Sequence, residues 1–318
     1  MPRARAHSRA LLGIPASHIS GLGAVVMAML RAGGCIVIDG PFKPRTFLER
    51  MAAERITFTV LVPAMYKLCL LDPTFDATDL DDWRIGLFGG AVMPTATIAE
   101  LARRLPGLRL INAYGATETT SPATIMPPGA IAVAPDSIGK AVPCGDILVM
   151  DESGREAARG EPGELWIGGP MIAQCYWNDE TATQASFTAG YWRSGDIGSI
   201  DAQGFVRIHD RLKDMINRAG YKVYSAEVEN VLALHPRVIE SVVVGRPDPV
   251  LGERVHAFVR ADDASLEAQT LATFCAERLA DYKVPESWTI STEPLPRNAN
   301  GKFEKRRLAR EIAAANGG

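Results

Sequence analysis

The sequence predicts an α/β protein in two parts: a large part with a helix-covered parallel sheet and a β-rich annex, then a small α+β part. Three observations predict it. Apolar runs of strand length alternate with helix-length periodic stretches across residues 12–128, the rhythm of parallel strands joined by crossover helices. Across 129–212 the runs shorten and are separated by Asp-Glu-Ser-Gly, Glu-Pro-Gly and Asp-Ala-Gln-Gly turns. Across 213–318 helix and strand patterns mix again. A chain of 318 residues exceeds the usual size of one core, so two domains, 1–212 and 213–318, are expected.

In order along the chain, SGLGAVVMAMLRAGG (20–34) reads as a buried helix closed by Gly33-Gly34, and CIVID (35–39) as a short buried strand. PRTFLERMAAERI (44–56) carries Phe47, Leu48 and Met51 at helical spacing, and TFTVLV (57–62) is the next strand. RIGLFGGA (84–91) is a strand ending in glycine, TATIAELARRL (95–105) a helix and LRLINAY (108–114) a strand. Past the turn-rich middle, SAEVENVLALH (225–235) is a helix with Ser225 as N-cap. Strands follow at 238–248 and 254–262, and a helix at 267–279.

Composition narrows the function classes. With 47% apolar and 22% charged residues the chain is globular rather than disordered. A net charge of −3 gives no reason to expect nucleic acid or an anionic membrane as partner. The five cysteines are scattered, with no CxxC pair; that pattern favours a reduced, cytoplasmic setting over a zinc knuckle or a disulfide frame. Arg3, Arg5 and Arg9 precede apolar residues as in a targeting peptide, but Pro15, Ser17, His18 and Ser20 break the apolar run. No membrane span is expected from it.

Five stretches could carry chemistry. INAYGATETT (111–120) ends a strand with a ring, several hydroxyls and a carboxylate. Ligands of open α/β sheets sit beyond such strand ends, where Tyr114 could stack on a flat base and Glu118 could hold Mg²⁺. Taken alone, a capped turn with Thr117 as N-cap is the simpler reading. FGGA (88–91) permits close backbone approach, although most Gly-Gly pairs are plain turns. YWRSGDIGSID (191–201) puts Asp196 where a carboxylate could accept from ribose hydroxyls, or form an Asx turn. HDRLKDMINRAGYKV (209–223) packs Arg211, Lys213 and Asp214 at the change of texture, and LPRNANGKFEKRRLAR (295–310) sets Lys302 on a glycine-containing loop before a basic helix.

Taken together and in order, YGATE, GELWIGGPMIAQCYW, YWRSGD, DRLKDMINRAGYKVYSAEVE and NGKFEK resemble the adenylate-forming enzymes. These are the acyl- and aryl-CoA synthetases, luciferases and peptide-synthetase adenylation domains. The resemblance runs from about Leu12 nearly to the C-terminus and implies a role at each matching position. Gly89, Gly90 and Ala91 would line the adenine and acyl pocket, with Tyr114 and Gly115 on the adenine. Thr117 would bond the AMP phosphate and Glu118 would hold Mg²⁺. Asp196 and Arg211 would bind the ribose hydroxyls. Lys213 matches the hinge about which the small C-terminal domain turns. Lys302 matches the lysine bridging the acyl carboxylate and the α-phosphate, and Gly220 would border the pantetheine tunnel. His18, in PASHISG, resembles the residue near the acyl pocket.

The resemblance also implies ATP, Mg²⁺, coenzyme A and a carboxylic acid as the small molecules handled. One departure stands out: the family's Ser/Thr/Gly-rich phosphate loop has no counterpart here. The chain is therefore expected to be a C-terminal part of the large domain plus the whole small domain, with apolar faces left uncovered for a second copy or another partner. Asp210 also replaces the commoner glycine before Arg211. The expected activity is a carboxylate–CoA ligase, impaired by the missing loop. A non-catalytic remnant and an adenylation domain loading a carrier protein are the alternatives.

Overall fold

The computed structural model describes residues 8–91, 93–120, 122–298 and 302–315. The basic opening 1–7 and the Asn300-Gly301 pair before Lys302 lie outside the described residues. Two compact units are present: Met1–Ser194 with Gly198–Ile208, and Gly195–Ile197 with His209–Gly318. The expected mixed α/β class is borne out in both.

The first unit contains β1 (Arg9–Leu12), a helix that is π-type over Ser20–Met27 and continues as α1 (Ala28–Ala32), and β2 (Cys35–Ile38). There follow α2 (Pro44–Ala53), β3 (Phe58–Leu61), α3 (Pro63–Leu71), β4 (Ile85–Phe88), α4 (Thr95–Arg104) and β5 (Arg109–Tyr114). Short strands β6 (Thr124–Ile125) and β7 (Lys140–Ala141) complete a sheet of order β2-β1-β3-β4-β5-β6-β7. Its first five strands are parallel and the last two join antiparallel. The sequence reading assigns no element to Arg9–Leu12, because Gly13 and Pro15 cut the run short; pairing on both sides makes it an inner strand.

Period-two alternation explains how both faces of this sheet are covered. Leu11, Leu61 and Phe88 pack with Leu48, Met51 and Leu101 of the helices on one face. Ala10, Leu12 and Val60 pack with Val25 and Met29 of the 20–32 helix on the other. That helix ends at Gly33, whose φ of 67° supplies the left-handed cap expected of Gly33-Gly34. Leu22, Met27 and Leu30 of the helix, and Ile38 of the edge strand β2, stand exposed.

The turn-rich stretch forms a second sheet. It contains β8 (Asp146–Met150), β9 (Gly163–Gly168), α5 (Glu180–Ser186), β10 (Phe187–Thr188), β11 (Tyr191–Ile200) and β12 (Val206–Arg211). The strand order is β10-β11-β9-β8, with β12 beside β11.

The second unit adds β13 (Ile216–Arg218), β14 (Tyr221–Val223), α6 (Ser225–Leu232), β15 (Val238–Asp248) and β16 (Gly252–Ala261). It closes with α7 (Ala268–Ala276), β17 (Ser287–Ser291) and α8 (Lys305–Ala315). Its sheet runs β14-β13-β16-β15, with β17 parallel to β16. Val243, Val255 and Val259 meet Val228, Leu232 and Leu271 on one face, whereas Val242, Val244 and Phe258 meet Leu308 of α8 on the other. No helix among the described residues is long and apolar enough to cross a membrane.

Candidate functional site

The expected residues fall into two clusters, one in each unit. In the first unit the carboxyl ends of β4 and β5 lie side by side, as Phe88 pairs with Asn112. Gly89 follows β4 directly, and a methyl group there would sit 2.2 Å from the Ala113 carbonyl oxygen. The close approach this glycine permits in the structure is to the neighbouring strand. Gly90 turns the chain at φ 78° and leaves Ala91 exposed.

Past β5, Tyr114 is half-buried and Gly115 exposed. Residues Thr117–Thr119 make a single 3-10 turn. Thr117 is not its N-cap, as the capped-turn reading expects: Ala116 holds that position, and its N–H donates to Thr119 Oγ1 at 2.9 Å. The Thr119 hydroxyl closes the turn, and Thr117 is left exposed. Thr120 follows at φ 56°, a left-handed conformation rare for a β-branched residue and of the kind that concentrates at functional sites. A methyl on Gly23 would lie 3.8 Å from the Thr120 carbonyl oxygen, so the 20–32 helix passes beside this turn. His18 stands half-buried just ahead of that helix, its Nδ1 3.3 Å from Ser20 Oγ.

Glu118 is tied down twice. Its carbonyl oxygen accepts from the Ala173 N–H at 2.7 Å, and its Oε1 accepts from the Tyr176 hydroxyl at 2.8 Å. Tyr176 rests edge-on against Phe187, and burial, then the bond to Glu118, raise its pKa above the ordinary tyrosine value. Tyr176 is the functional neighbour that sequence reasoning missed. It lies inside the quoted GELWIGGPMIAQCYW stretch, 58 residues from Glu118, where no local pattern pairs a hydroxyl with a distant carboxylate. One carboxylate is the donor set expected for Mg²⁺ that keeps water and substrate phosphates as its other ligands. Among the described residues no group of three or more His, Cys, Asp or Glu side chains could hold a metal by itself. The residues present therefore fit an ion carried on phosphates rather than a protein cage.

In the second unit Asp196 is buried, and its Oδ1 lies 3.1 Å from Arg211 Nε, so the two residues expected at the ribose meet each other. Lys302, more than ninety positions away in sequence, comes within the field of both. Burial and then the Arg211 charge lower its pKa, and Asp196 opposes them. Lys302 is bonded twice to Asn298: its N–H donates to Asn298 Oδ1 at 3.1 Å and its carbonyl oxygen accepts from Asn298 N–H at 2.9 Å.

Two other expected residues stay apart from this trio. Lys213 is exposed in the turn after β12, where Asp214 and Met215 N–H groups donate to the Arg211 carbonyl. Gly220 has φ 88° at the tip of the β13–β14 hairpin and donates to Asn217 Oδ1. The acid before Arg211, Asp210, is buried and accepts from the Arg211 and Ser225 N–H groups. Ser225 is consequently the first residue of α6 rather than its N-cap, with Tyr224 in that place.

Residues 2–177 match the AMP-binding enzyme family, and residues 227–302 match the AMP-binding enzyme C-terminal domain. The first match alone spans more than half of the chain. The chain belongs to the AMP-binding enzyme family. An indoleacetate–CoA ligase of Aromatoleum aromaticum is 34% identical over 301 residues, covering 94% of this chain and 58% of the relative. Among solved structures, an amide bond synthetase from Marinactinospora thermotolerans superposes with a TM-score of 0.88 at 30% identity, covering 97% of this chain and 62% of that one. An o-succinylbenzoate coenzyme A synthetase from Bacillus subtilis, in complex with ATP and magnesium ion, has a TM-score of 0.83 at 32% identity, with 95% and 61% covered. This AMP-binding chain thus spans about three-fifths of the length of such relatives. The resemblance read from five ordered motifs is borne out at the level of family and fold.

Proposed function

We propose that this AMP-binding protein is an ATP-dependent carboxylate–CoA ligase. The observation that carries the reading is the Asp196–Arg211 ion pair, in the same unit as a Lys302 that feels both charges. In the first step a carboxylate oxygen attacks the α-phosphorus of ATP, an acyl–phosphate bond forms and pyrophosphate leaves with the electron pair. Two anions must be brought together, so positioning and charge stabilisation supply most of the acceleration. Lys302 is a compact cation suited to the α-phosphate and acyl oxygens, and Asp196 with Arg211 holds the ribose. Tyr114 and Gly115 take the adenine, Thr117 the phosphate, and His18, Gly90 and Ala91 the acyl group. Glu118 would hold magnesium, which would supply positive charge to neutralise the leaving pyrophosphate. In the second step a thiol attacks the acyl carbon, a C–S bond forms and AMP departs. Lys213 as pivot and Gly220 beside the thiol's path belong to that step. A reduced, cytoplasmic setting is part of the same reading.

Pyrophosphate exchange with a panel of carboxylates, alongside Lys302→Ala, tests the reading. Exchange in the wild type and its loss in the variant are expected; a folded wild type with no exchange for any acid overturns it in favour of a non-catalytic protein. A second reading, transfer to an acceptor other than CoA, is favoured by the likeness to an amide bond synthetase. Product analysis with CoA, a carrier protein and simple amines separates the acceptors.

A further inference from the structure

The second unit contains a charge cluster, half-buried at Lys305 and Glu229 and buried at Asp210 and Ser225, that none of the expected roles uses. Lys305 Nζ lies 2.7 Å from Glu229 Oε1 and donates to Ser225 Oγ at 2.6 Å. Ser225, fully buried, donates its hydroxyl to Asp210 Oδ1 at 3.0 Å. Glu229 Oε1 also accepts from the Val243 N–H at 2.8 Å, so the pair is anchored to β15 as well as to α6. Burial opposes the Lys305 charge, but Glu229 and Asp210 outweigh it and raise its pKa, whereas burial raises that of Asp210. Desolvated charges of this kind are costly unless each is matched. Here each has a partner.

What this cluster holds is the start of α8, three residues after Lys302. The loop between is braced at its base: Glu304 N–H donates to the Pro296 carbonyl at 3.0 Å, and the Arg297 guanidinium lies 3.7 Å from the Phe303 ring centre. Asp210, at the other end of the cluster, accepts from the Arg211 N–H at 2.8 Å and so ties the cluster to the Arg211 backbone. Lys302 and Arg211 repel each other, so their proximity needs a restraint outside the pair.

We propose that Lys305 is a positioning residue for Lys302, its contacts with Glu229 and Ser225 locking the start of α8 and, through it, the backbone at Lys302. This rests on Lys302 acting in the adenylating step.

Two variants of the full chain test it. Lys305→Met with Glu229→Gln removes the ion pair and leaves Asp210 held by the Arg211 and Ser225 N–H groups, and Ser225→Ala removes only the hydroxyl that links Lys305 to Asp210. Amide hydrogen exchange at Asn298 and Lys302 is expected to quicken by roughly tenfold in the double variant, the size of one lost charge-assisted hydrogen bond, with Leu271 and Cys275 of α7 unchanged. The kcat of pyrophosphate exchange should fall by roughly a hundredfold in the double variant and about tenfold in Ser225→Ala. The KM for ATP and the acyl transfer from preformed acyl-adenylate to CoA should stay near wild type.

Unchanged adenylation in the folded variants, or equal loss in both half-reactions, overturns the proposal. If the double variant does not fold, Ser225→Ala decides in the same way. A wild type without pyrophosphate exchange would sink the ligase reading instead, and the amide exchange would still report on the positioning. Normal adenylation in Lys302→Ala would remove the premise and overturn the proposal with it.

Discussion

Around Glu118 the first unit arranges its polar groups by backbone geometry, whereas around Lys302 the second unit arranges them by buried charge. Gly89 packs against the Ala113 carbonyl, the Thr119 hydroxyl closes a 3-10 turn, and the Ala173 N–H grips the Glu118 carbonyl. These contacts all run to backbone atoms, and they leave Thr117 and Gly115 open to solvent. Asp196 instead offsets Arg211 and Lys302, and the Lys305–Glu229 pair ties α8 to α6. The difference teaches where each cluster is fragile: the first to a change of backbone shape, the second to a change of charge.

Four outcomes would break or sharpen that contrast. Lys302→Ala should have the largest effect, slowing pyrophosphate exchange by roughly a thousandfold, the cost of one transition-state charge contact, with an unchanged circular dichroism spectrum. An effect below tenfold would mean that the second cluster does not act on the reacting phosphate.

Next comes acid. Burial, then Arg246, pushes the pKa of His256 down to about 4. Its ring lies between Ser287 Oγ at 2.8 Å and Thr289 Oγ1 at 3.1 Å. The folded state binds the proton more weakly than the unfolded chain, so the stabilisation is complete above about pH 6.5 and is lost as pH falls towards 4. The full loss is about 3 kcal/mol. Urea titrations across this window should show the slope, and His256→Gln should flatten it. An equal slope in that variant would remove His256 as the cause.

Gly89→Ala should cost about 2 kcal/mol through overpacking against Ala113, seen as a lower urea midpoint. A neutral result would show that the β4–β5 ends yield readily, against the backbone-built reading of the first cluster. Tyr176→Phe is the mildest. Losing one hydrogen bond to a half-buried carboxylate should cost about 1 kcal/mol and raise the Mg²⁺ concentration needed for half-maximal exchange. An unchanged Mg²⁺ requirement would mean that Tyr176 braces the 173–176 segment only.

Much of the fold was legible because periodicity and turn chemistry are local. The alternation of RIGLFGGA, TATIAELARRL and LRLINAY led directly to β4, α4 and β5. Gly33 was readable as a cap because a left-handed residue is needed there. Arg9–Leu12 was not, since four apolar-leaning residues before Gly13 carry no period long enough to mark a strand. The caps at Thr117 and Ser225 were misplaced by one residue for a related reason: a hydroxyl near a helix start caps it only if no better partner is close. In the first turn Thr119 takes the capping contact with Ala116, and in α6 Asp210 takes the Ser225 hydroxyl.

By itself the sequence determined the strand–helix rhythm, the glycine turns at the strand ends and, through five ordered motifs, the family. Only the tertiary structure decided which side chains meet: Tyr176 with Glu118, Asp196 with Arg211, and Lys305 with Glu229 and Ser225. Secondary structure follows from forces acting over a few residues, so its signal is written in neighbouring positions. A buried charge finds its partner through the packing of whole elements, and no spacing along the chain records that choice.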